Sequence, residues 1–121
     1  MSTASPVIAI VEDDASLSKG LARLLKTLGF TTELYCSAED YLVRVTASNA
    51  TCLLLDVDLG GLSGIELGRH LAASGSQLPV IFMTALQDEK TQKEAMATGC
   101  VAYLQKPFPA SALIEALNKA A

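Results

Sequence analysis

The segment Val7-Ile8-Ala9-Ile10-Val11 contains no polar residue. A strand that meets water on one side alternates apolar and polar positions. An unbroken apolar run of this length therefore predicts a strand covered on both faces, as in a parallel sheet between two helical layers. Comparable runs recur at Cys52–Leu55 and Val80–Met83, and Thr31–Tyr35 and Val101–Gln105 read as two further strands. Segments of helical period separate them. Leu17, Leu21, Leu24, Leu25 and Leu28 form one apolar stripe, closed by Gly29 with Phe30 folding back on it. Ser37-Ala38-Glu39-Asp40 resembles a capping box and opens a helix through about Val45. Ser63-Gly64-Ile65-Glu66 is a second box, with Leu62 and Leu67 placed as a hydrophobic staple. A fourth helix runs from about Asp88 to Thr98 and stops at Gly99. Pro109 suits the first turn of a fifth helix that carries Leu113, Ile114 and Leu117 inward. Five β-α units with right-handed crossovers give an α/β, doubly wound (βα)5 sandwich around one parallel sheet.

A length of 121 residues fits one domain, with residues 1–6 as a flexible lead-in and 7–121 as the folded unit. The net charge of -4 and the lack of a basic stripe argue against direct nucleic-acid binding by this chain. Cys36, Cys52 and Cys100 are widely spaced and odd in number, as expected of small reduced core residues. Neither a signal-peptide pattern nor an apolar stretch approaching the roughly 20 residues of a membrane helix occurs. The expectation is a soluble, cytoplasmic protein.

In open parallel sheets, ligands bind beyond the carboxyl ends of the strands. Here the first strand is followed by Glu12-Asp13-Asp14, the third by Asp56, the fourth by Thr84 and the fifth by Lys106, while the second ends uncharged at Tyr35-Cys36. If the strand order is 2-1-3-4-5, that second strand lies at an edge and the other four ends converge. Glu12, Asp13 and Asp56 would then meet a single ammonium, from Lys106. Clustered carboxylates raise one another's pKa unless compensated, and a divalent, oxygen-preferring cation such as Mg²⁺ (or Mn²⁺) supplies the compensation. Asp56 at a strand tip can act as a nucleophile towards phosphorus, with Lys106 neutralising the transferring oxygens and Thr84 donating its hydroxyl. Asp14 is better placed to cap the following helix than to join the metal site, and His70 has no second ligand at a suitable spacing.

The motifs Ile10-Val11-Glu12-Asp13-Asp14, Leu53-Leu54-Leu55-Asp56 with Ser63-Gly64 downstream, Pro79 to Ala85, and Lys106-Pro107-Phe108 follow in order at family spacing. Over nearly its whole length the chain resembles the receiver domains of bacterial response regulators, the CheY-like family. The resemblance implies the flavodoxin-like order 2-1-3-4-5 and assigns Asp56 as phosphoacceptor, Glu12 and Asp13 as the acidic metal pair, and Thr84 and Lys106 as the switch hydroxyl and phosphate-binding lysine. It also implies that the Asp58 main-chain carbonyl joins the metal shell, that the Lys106–Pro107 peptide is cis, and that Tyr103 is the aromatic switch position. Such a domain takes its phosphoryl group from a sensor histidine kinase or phosphotransfer protein and catalyses only its own phosphorylation and dephosphorylation. On phosphorylation it would pair with a second copy through the face of the fourth helix, fifth strand and fifth helix. Gly99 to Leu104 resembles the FixJ-like branch, whose members often carry a DNA-binding domain after the receiver.

This sequence departs from the family pattern at four places. Glu12 replaces the more frequent aspartate, Gly60 stands where proline is usual, and the two positions that attacking water would approach carry an added carboxylate, Asp58, and an apolar side chain, Leu86. Three other functions compete. Asp56-Val57-Asp58 imitates the nucleophile motif of haloacid-dehalogenase-like phosphatases, but follows the third strand instead of the first. A flavodoxin-like cofactor site would want glycine and hydroxyls where the first loop is acidic. A degenerate receiver acting as a docking module would lack some of the side chains that are all present here.

Overall fold

The computed structural model of the chain describes residues 6–121. It contains β1 (Val7–Val11), α1 (Ala15–Thr27), β2 (Thr31–Tyr35), α2 (Ala38–Arg44) with a 3₁₀ turn over Val45–Ala47, β3 (Cys52–Asp56), α3 (Gly64–Ala73), β4 (Val80–Thr84), α4 (Glu89–Ala97), β5 (Ala102–Gln105) and α5 (Ala110–Ala120). All strand pairs are parallel, in the order β2-β1-β3-β4-β5. The lead-in expected over residues 1–6 lies outside the described residues except for Pro6, whose carbonyl accepts a hydrogen bond from Thr31 N–H at 3.0 Å.

The apolar strands sort their side chains by parity, as a pleated strand must. Ile8, Ile10, Cys52, Leu54, Ile81 and Met83 pack beneath α1 and α5, against Leu21, Leu25, Leu113, Ala116 and Leu117. Ala9, Val11, Leu53, Leu55 and Phe82 face the opposite layer, where Tyr41, Leu67, Leu71 and Ala95 cover them. The central strands β1, β3 and β4 thus have no watery face. β2 is one of the two edges, with Thr31 and Leu34 exposed.

Helix ends follow local chemistry. Asp14 caps α1, its Oδ1 accepting from Ser16 and Leu17 N–H. At the other end Gly29, at φ 93°, lets its own N–H reach the Lys26 carbonyl and Phe30 N–H reach that of Leu25. The Ser63–Glu66 capping box is complete. The Ser37 box is half formed: Ser37 Oγ accepts from Asp40 N–H, but the shorter Asp40 side chain accepts from Cys36 N–H instead of returning to Ser37.

Three expectations need correction. Ile114 is 38% exposed, because the buried stripe of α5 runs through Leu113, Ala116 and Leu117 and residue 114 sits about 100° round from it. Cys36 is exposed where a core position was expected, since β2 ends at Tyr35 before the chain turns out into α2. β5 starts at Ala102, one residue later than expected.

The β2 edge is held by a carboxylate. Glu33 Oε1 accepts from Ser48 Oγ at 2.6 Å and Tyr35 Oη at 2.9 Å, and Oε2 accepts from Asn49 N–H at 2.9 Å. Partial burial alone would raise this carboxyl's pKa, but those bonds outweigh it and hold the group below the ordinary 4.5. A depressed native pKa adds stability that is present above the unfolded value and lost as pH falls through the native one. Glu33→Gln should therefore unfold about 1 kcal/mol more easily at neutral pH. In urea titrations over pH 7 to 2.5, that difference should close below about pH 4.5. A gap that persists at the acid end would mean that packing, not the charge, holds this edge.

Candidate functional site

The carboxyl ends of β1, β3, β4 and β5 converge as the sequence suggested. Glu12 and Asp56 are each 2% exposed, and Thr84 is fully buried. One carboxylate oxygen from each of Glu12, Asp13 and Asp56 lies within 4.8 Å of the others. Lys106 Nζ reaches Glu12 Oε1 at 2.7 Å and Asp56 Oδ1 at 3.2 Å. Burial by itself would depress the lysine's pKa, but the bonds and charges of Glu12 and Asp56 outweigh it and raise the ammonium above its ordinary value. Although Asp13 is exposed, the desolvation it does meet, reinforced by the hydrogen bond and charge of Glu12, pushes its carboxyl up. The Lys106–Pro107 peptide is cis.

Backbone bonds fix the frame. Glu12 N–H donates to the Tyr35 carbonyl, Val57 N–H to that of Met83 at 2.9 Å, and Lys106 N–H to that of Thr84 at 2.7 Å. The loop leaving Asp56 is anchored from outside by Glu39 of α2, whose Oε2 accepts from Leu62 N–H at 2.9 Å. That bond holds the Glu39 carboxyl below the usual range. Gly61, at φ 75°, lies so close to Glu39 that a Cβ there would stand 2.6 Å from Oε2. The residue thus meets two requirements, a left-handed backbone and a close approach.

Asp58 meets the site through both its backbone and its side chain. Its N–H donates to Asp56 Oδ1 at 3.2 Å. Its side chain accepts from Thr84 Oγ1 at 2.9 Å and from Ala85 N–H at 3.4 Å. Its carbonyl oxygen accepts no backbone hydrogen bond among the described residues. Tyr103 is half-buried against the α2–α4 layer, and its hydroxyl is buried without a hydrogen-bond partner among the described residues. Burial, with the charges of Asp58 and Asp88 nearby, raises its pKa. His70 is exposed.

Three contacts escaped the sequence: the Asp58–Thr84 bond, the Glu39 anchor, and the packing of Gly64 on Asp56. A Cβ built at Gly64 would run into the Asp56 carbonyl and come within 2.9 Å of the Val57 Cα. The first two pair residues 26 and 23 positions apart, beyond any local signal. Gly64 alone left a trace, as a glycine inside a capping box where a better helix former would serve.

Glu12, Asp13 and Asp56 bring three carboxylates together, and Lys106 is the ammonium that bonds to two of them among the described residues. Two of the three are almost fully withdrawn from water. Such a set of hard oxygen donors with surplus negative charge fits a hard dication.

Residues 8–118 match the response regulator receiver domain family. Response regulator protein TodT of Pseudomonas putida is 33% identical over 120 residues, which cover 99% of this chain and 53% of TodT. Transcriptional regulatory protein FixJ of Bradyrhizobium diazoefficiens is 36% identical over 101 residues, covering 84% of this chain and 49% of FixJ. The chain spans about half the length of the curated relatives it matches. Among solved structures, the crystal structure of FixJ-N superposes with a TM-score of 0.88 at 31% identity, covering 98% of this chain and 94% of that one. A response regulator receiver protein from Burkholderia phymatum superposes with a TM-score of 0.84 at 35% identity, covering 96% and 94%.

Proposed function

The chain belongs to the response regulator receiver domain family of two-component signalling, and from that premise we propose that it switches through phosphorylation of Asp56. The observation that carries the assignment is the buried Asp56 carboxylate held between Lys106 Nζ, at 3.2 Å, and the acidic pair Glu12 and Asp13. One oxygen of Asp56 attacks phosphorus, a new O–P bond forms, and the donor's bond to phosphorus breaks with its electron pair leaving on the donor. Lys106 neutralises charge on the transferring oxygens, and its bond to Glu12 keeps the ammonium at that point. Thr84 is the hydroxyl that donates to a phosphoryl oxygen. Glu12, Asp13, Asp56 and the carbonyl of Asp58 would hold Mg²⁺, or Mn²⁺ in its place; the ion supplies neutralisation of the developing phosphoryl charge. The folded unit of residues 7–121 carries every group this chemistry requires.

Receiver domains take their phosphoryl group from sensor kinases, so a phosphohistidine of a kinase or phosphotransfer protein is the natural donor here. The domain in this reading catalyses its own phosphorylation and dephosphorylation and nothing else. Tyr103 reports the switch, its partnerless hydroxyl giving it reason to move. Exposed Met96 of α4 and Ile114 of α5 support a homodimer formed on phosphorylation across the α4–β5–α5 face. The relatives named as transcriptional regulators suggest a regulatory output domain beyond this one, which would bind DNA in place of this acidic chain. Among the described residues no helix is long and apolar enough to cross a membrane, and the three cysteines are free. Both facts suit a cytoplasmic site of action.

The phosphatase, cofactor-binding and docking-module readings are not favoured. Asp58, which would be the acid of a phosphatase motif, is bonded to Thr84, and no glycine cradle follows β1.

The test is incubation with acetyl phosphate. With Mg²⁺ the intact mass should rise by one phosphoryl group, peptide mapping after borohydride trapping should place it on Asp56, and excess chelator should prevent it. Uptake on another residue, or uptake indifferent to chelator, would remove the assignment.

A further inference from the structure

We propose that Asp58 is a positioning residue that latches Thr84 in the unphosphorylated state and competes with the phosphoryl group for the Thr84 hydroxyl proton. The inference rests on the phosphoacceptor reading of Asp56 and adds to it a residue that sets how readily the switch is thrown.

Thr84 is fully buried, and its hydroxyl has one proton to give. That proton goes to Asp58 Oδ2 at 2.9 Å, while the Thr84 oxygen accepts from Leu86 N–H at 3.0 Å. Asp58 is held in place to receive it. Its own N–H is bonded to Asp56 Oδ1, and its Oδ2 also takes Ala85 N–H. One residue therefore touches the phosphoacceptor through its backbone and the switch hydroxyl through its side chain.

When a phosphoryl group arrives on Asp56, Thr84 can donate to it only by leaving Asp58. The carboxylate of Asp58 has then lost its shorter bond and stands beside a new dianion. Both effects favour the unphosphorylated arrangement, so the free energy of breaking the latch is subtracted from the affinity of any phosphoryl-like ligand. Removing the latch reverses this. In Asp58→Ala the buried hydroxyl has lost its acceptor, and a phosphoryl oxygen is the next one available.

Beryllofluoride, which stands in for a phosphoryl group on a carboxylate, is the probe. Its affinity at saturating Mg²⁺ is to be measured by amide-shift titration for the wild type, Asp58→Ala, Thr84→Ala and the double variant. Asp58→Ala should bind about tenfold more tightly than the wild type, from the loss of one hydrogen bond to a charged acceptor. In the Thr84→Ala background the same change should alter affinity by less than about twofold, and Thr84→Ser should restore the full effect. Asp58→Asn, which keeps an acceptor without the charge, should fall between. In the metal-free protein the Leu86 amide should shift on Asp58→Ala, and should not do so when Thr84 is already alanine. An equal gain in both Thr84 backgrounds would assign the effect to charge alone and overturn the latch. So would no gain at all in a wild type that binds the probe. A wild type blind to beryllofluoride and Mg²⁺ would instead sink the phosphoacceptor reading, and the latch with it.

Discussion

Asp56→Asn should abolish phosphoryl uptake from acetyl phosphate, a loss of at least about a hundredfold since the anionic nucleophile itself is gone. The same substitution should stabilise the metal-free protein. Asp56 is attracted by one ammonium at 3.2 Å and repelled by Glu12 and Asp13, each with an oxygen within 4.8 Å of it. With an effective dielectric of about 20, one attraction of roughly 5 kcal/mol is set against two repulsions of roughly 3.5 kcal/mol each, before the added charge of Asp58 is counted. Asparagine keeps an oxygen for Asp58 N–H, and Lys106 retains its shorter bond to Glu12 at 2.7 Å. The net gain should be about 1 kcal/mol at low salt, and it should shrink as salt screens the cluster. Added Mg²⁺ should then raise the melting temperature of the wild type more than that of the variant. Thermal unfolding with and without Mg²⁺, beside intact mass after acetyl phosphate, reads both halves. A residue kept for packing would lose stability when altered. A variant weaker by several kcal/mol, or one that still gains the phosphoryl mass, would mean Asp56 is not the acceptor.

That opposition between stability and chemistry is also why the site was legible. A folded domain has no use for Glu12, Asp13 and Asp56 at the mouth of its sheet unless something else neutralises them. Because strands β1, β3 and β4 are apolar up to the site residue, each of those ends marks itself by its first polar side chain, whereas β5 closes on Gln105 and Lys106 was marked by the Lys106-Pro107-Phe108 motif. The uncharged end of β2 matched its place at the edge. Asp14 was separable from the acidic cluster on local grounds alone, since capping depends on residues two and three positions on, and its Oδ1 does accept from Ser16 and Leu17 N–H.

The unread part has a different physical origin. Period 3.6 gives a helix's buried stripe only to within one position, so Ile114 and Ala116 were exchanged at its margin. The side chain of Asp58 was read only for its place on the approach of attacking water. Its bond to Thr84 depends on the β3–β4 register, which pairs Asp56 with Met83 and so sets Thr84 beside the loop after β3. Glu39 reaching Leu62 similarly requires α2 to be laid over that loop. Tyr103 had its layer dictated by parity with Phe82, but a hydroxyl buried without a partner is a property of the packed state.

Gly64→Ala should be the most destabilising small change at the site, although alanine is the better helix former by about 1 kcal/mol. Gly64 opens α3 directly after the Ser63 cap, and its N–H donates to the Val57 carbonyl at 3.2 Å. An added Cβ would drive into the Asp56 carbonyl and come within 2.9 Å of the Val57 Cα, so the three atoms nearest to it are all backbone. Neither side can yield cheaply. The tip of β3 is tied to β4 through Val57 N–H and the Met83 carbonyl, and the first turn of α3 is tied by its reciprocal capping box. Overpacking of this kind typically removes 1–3 kcal/mol and occasionally more, so a loss of about 3 kcal/mol is expected, near 10 °C in melting temperature for a chain this size. Whatever shift relieves the clash must move the peptide that carries the Asp56 carboxylate. The surviving folded fraction should therefore also take up phosphoryl groups more slowly. Gly60→Ala is the control, for a Cβ there meets nothing within 4 Å and no left-handed backbone is required; it should stay within about 0.5 kcal/mol of the wild type. Urea unfolding of the three proteins decides the matter. If Gly64→Ala unfolds with Gly60→Ala and the wild type, α3 does not press on the phosphoacceptor strand, and the rigidity ascribed to Asp56 must come from elsewhere.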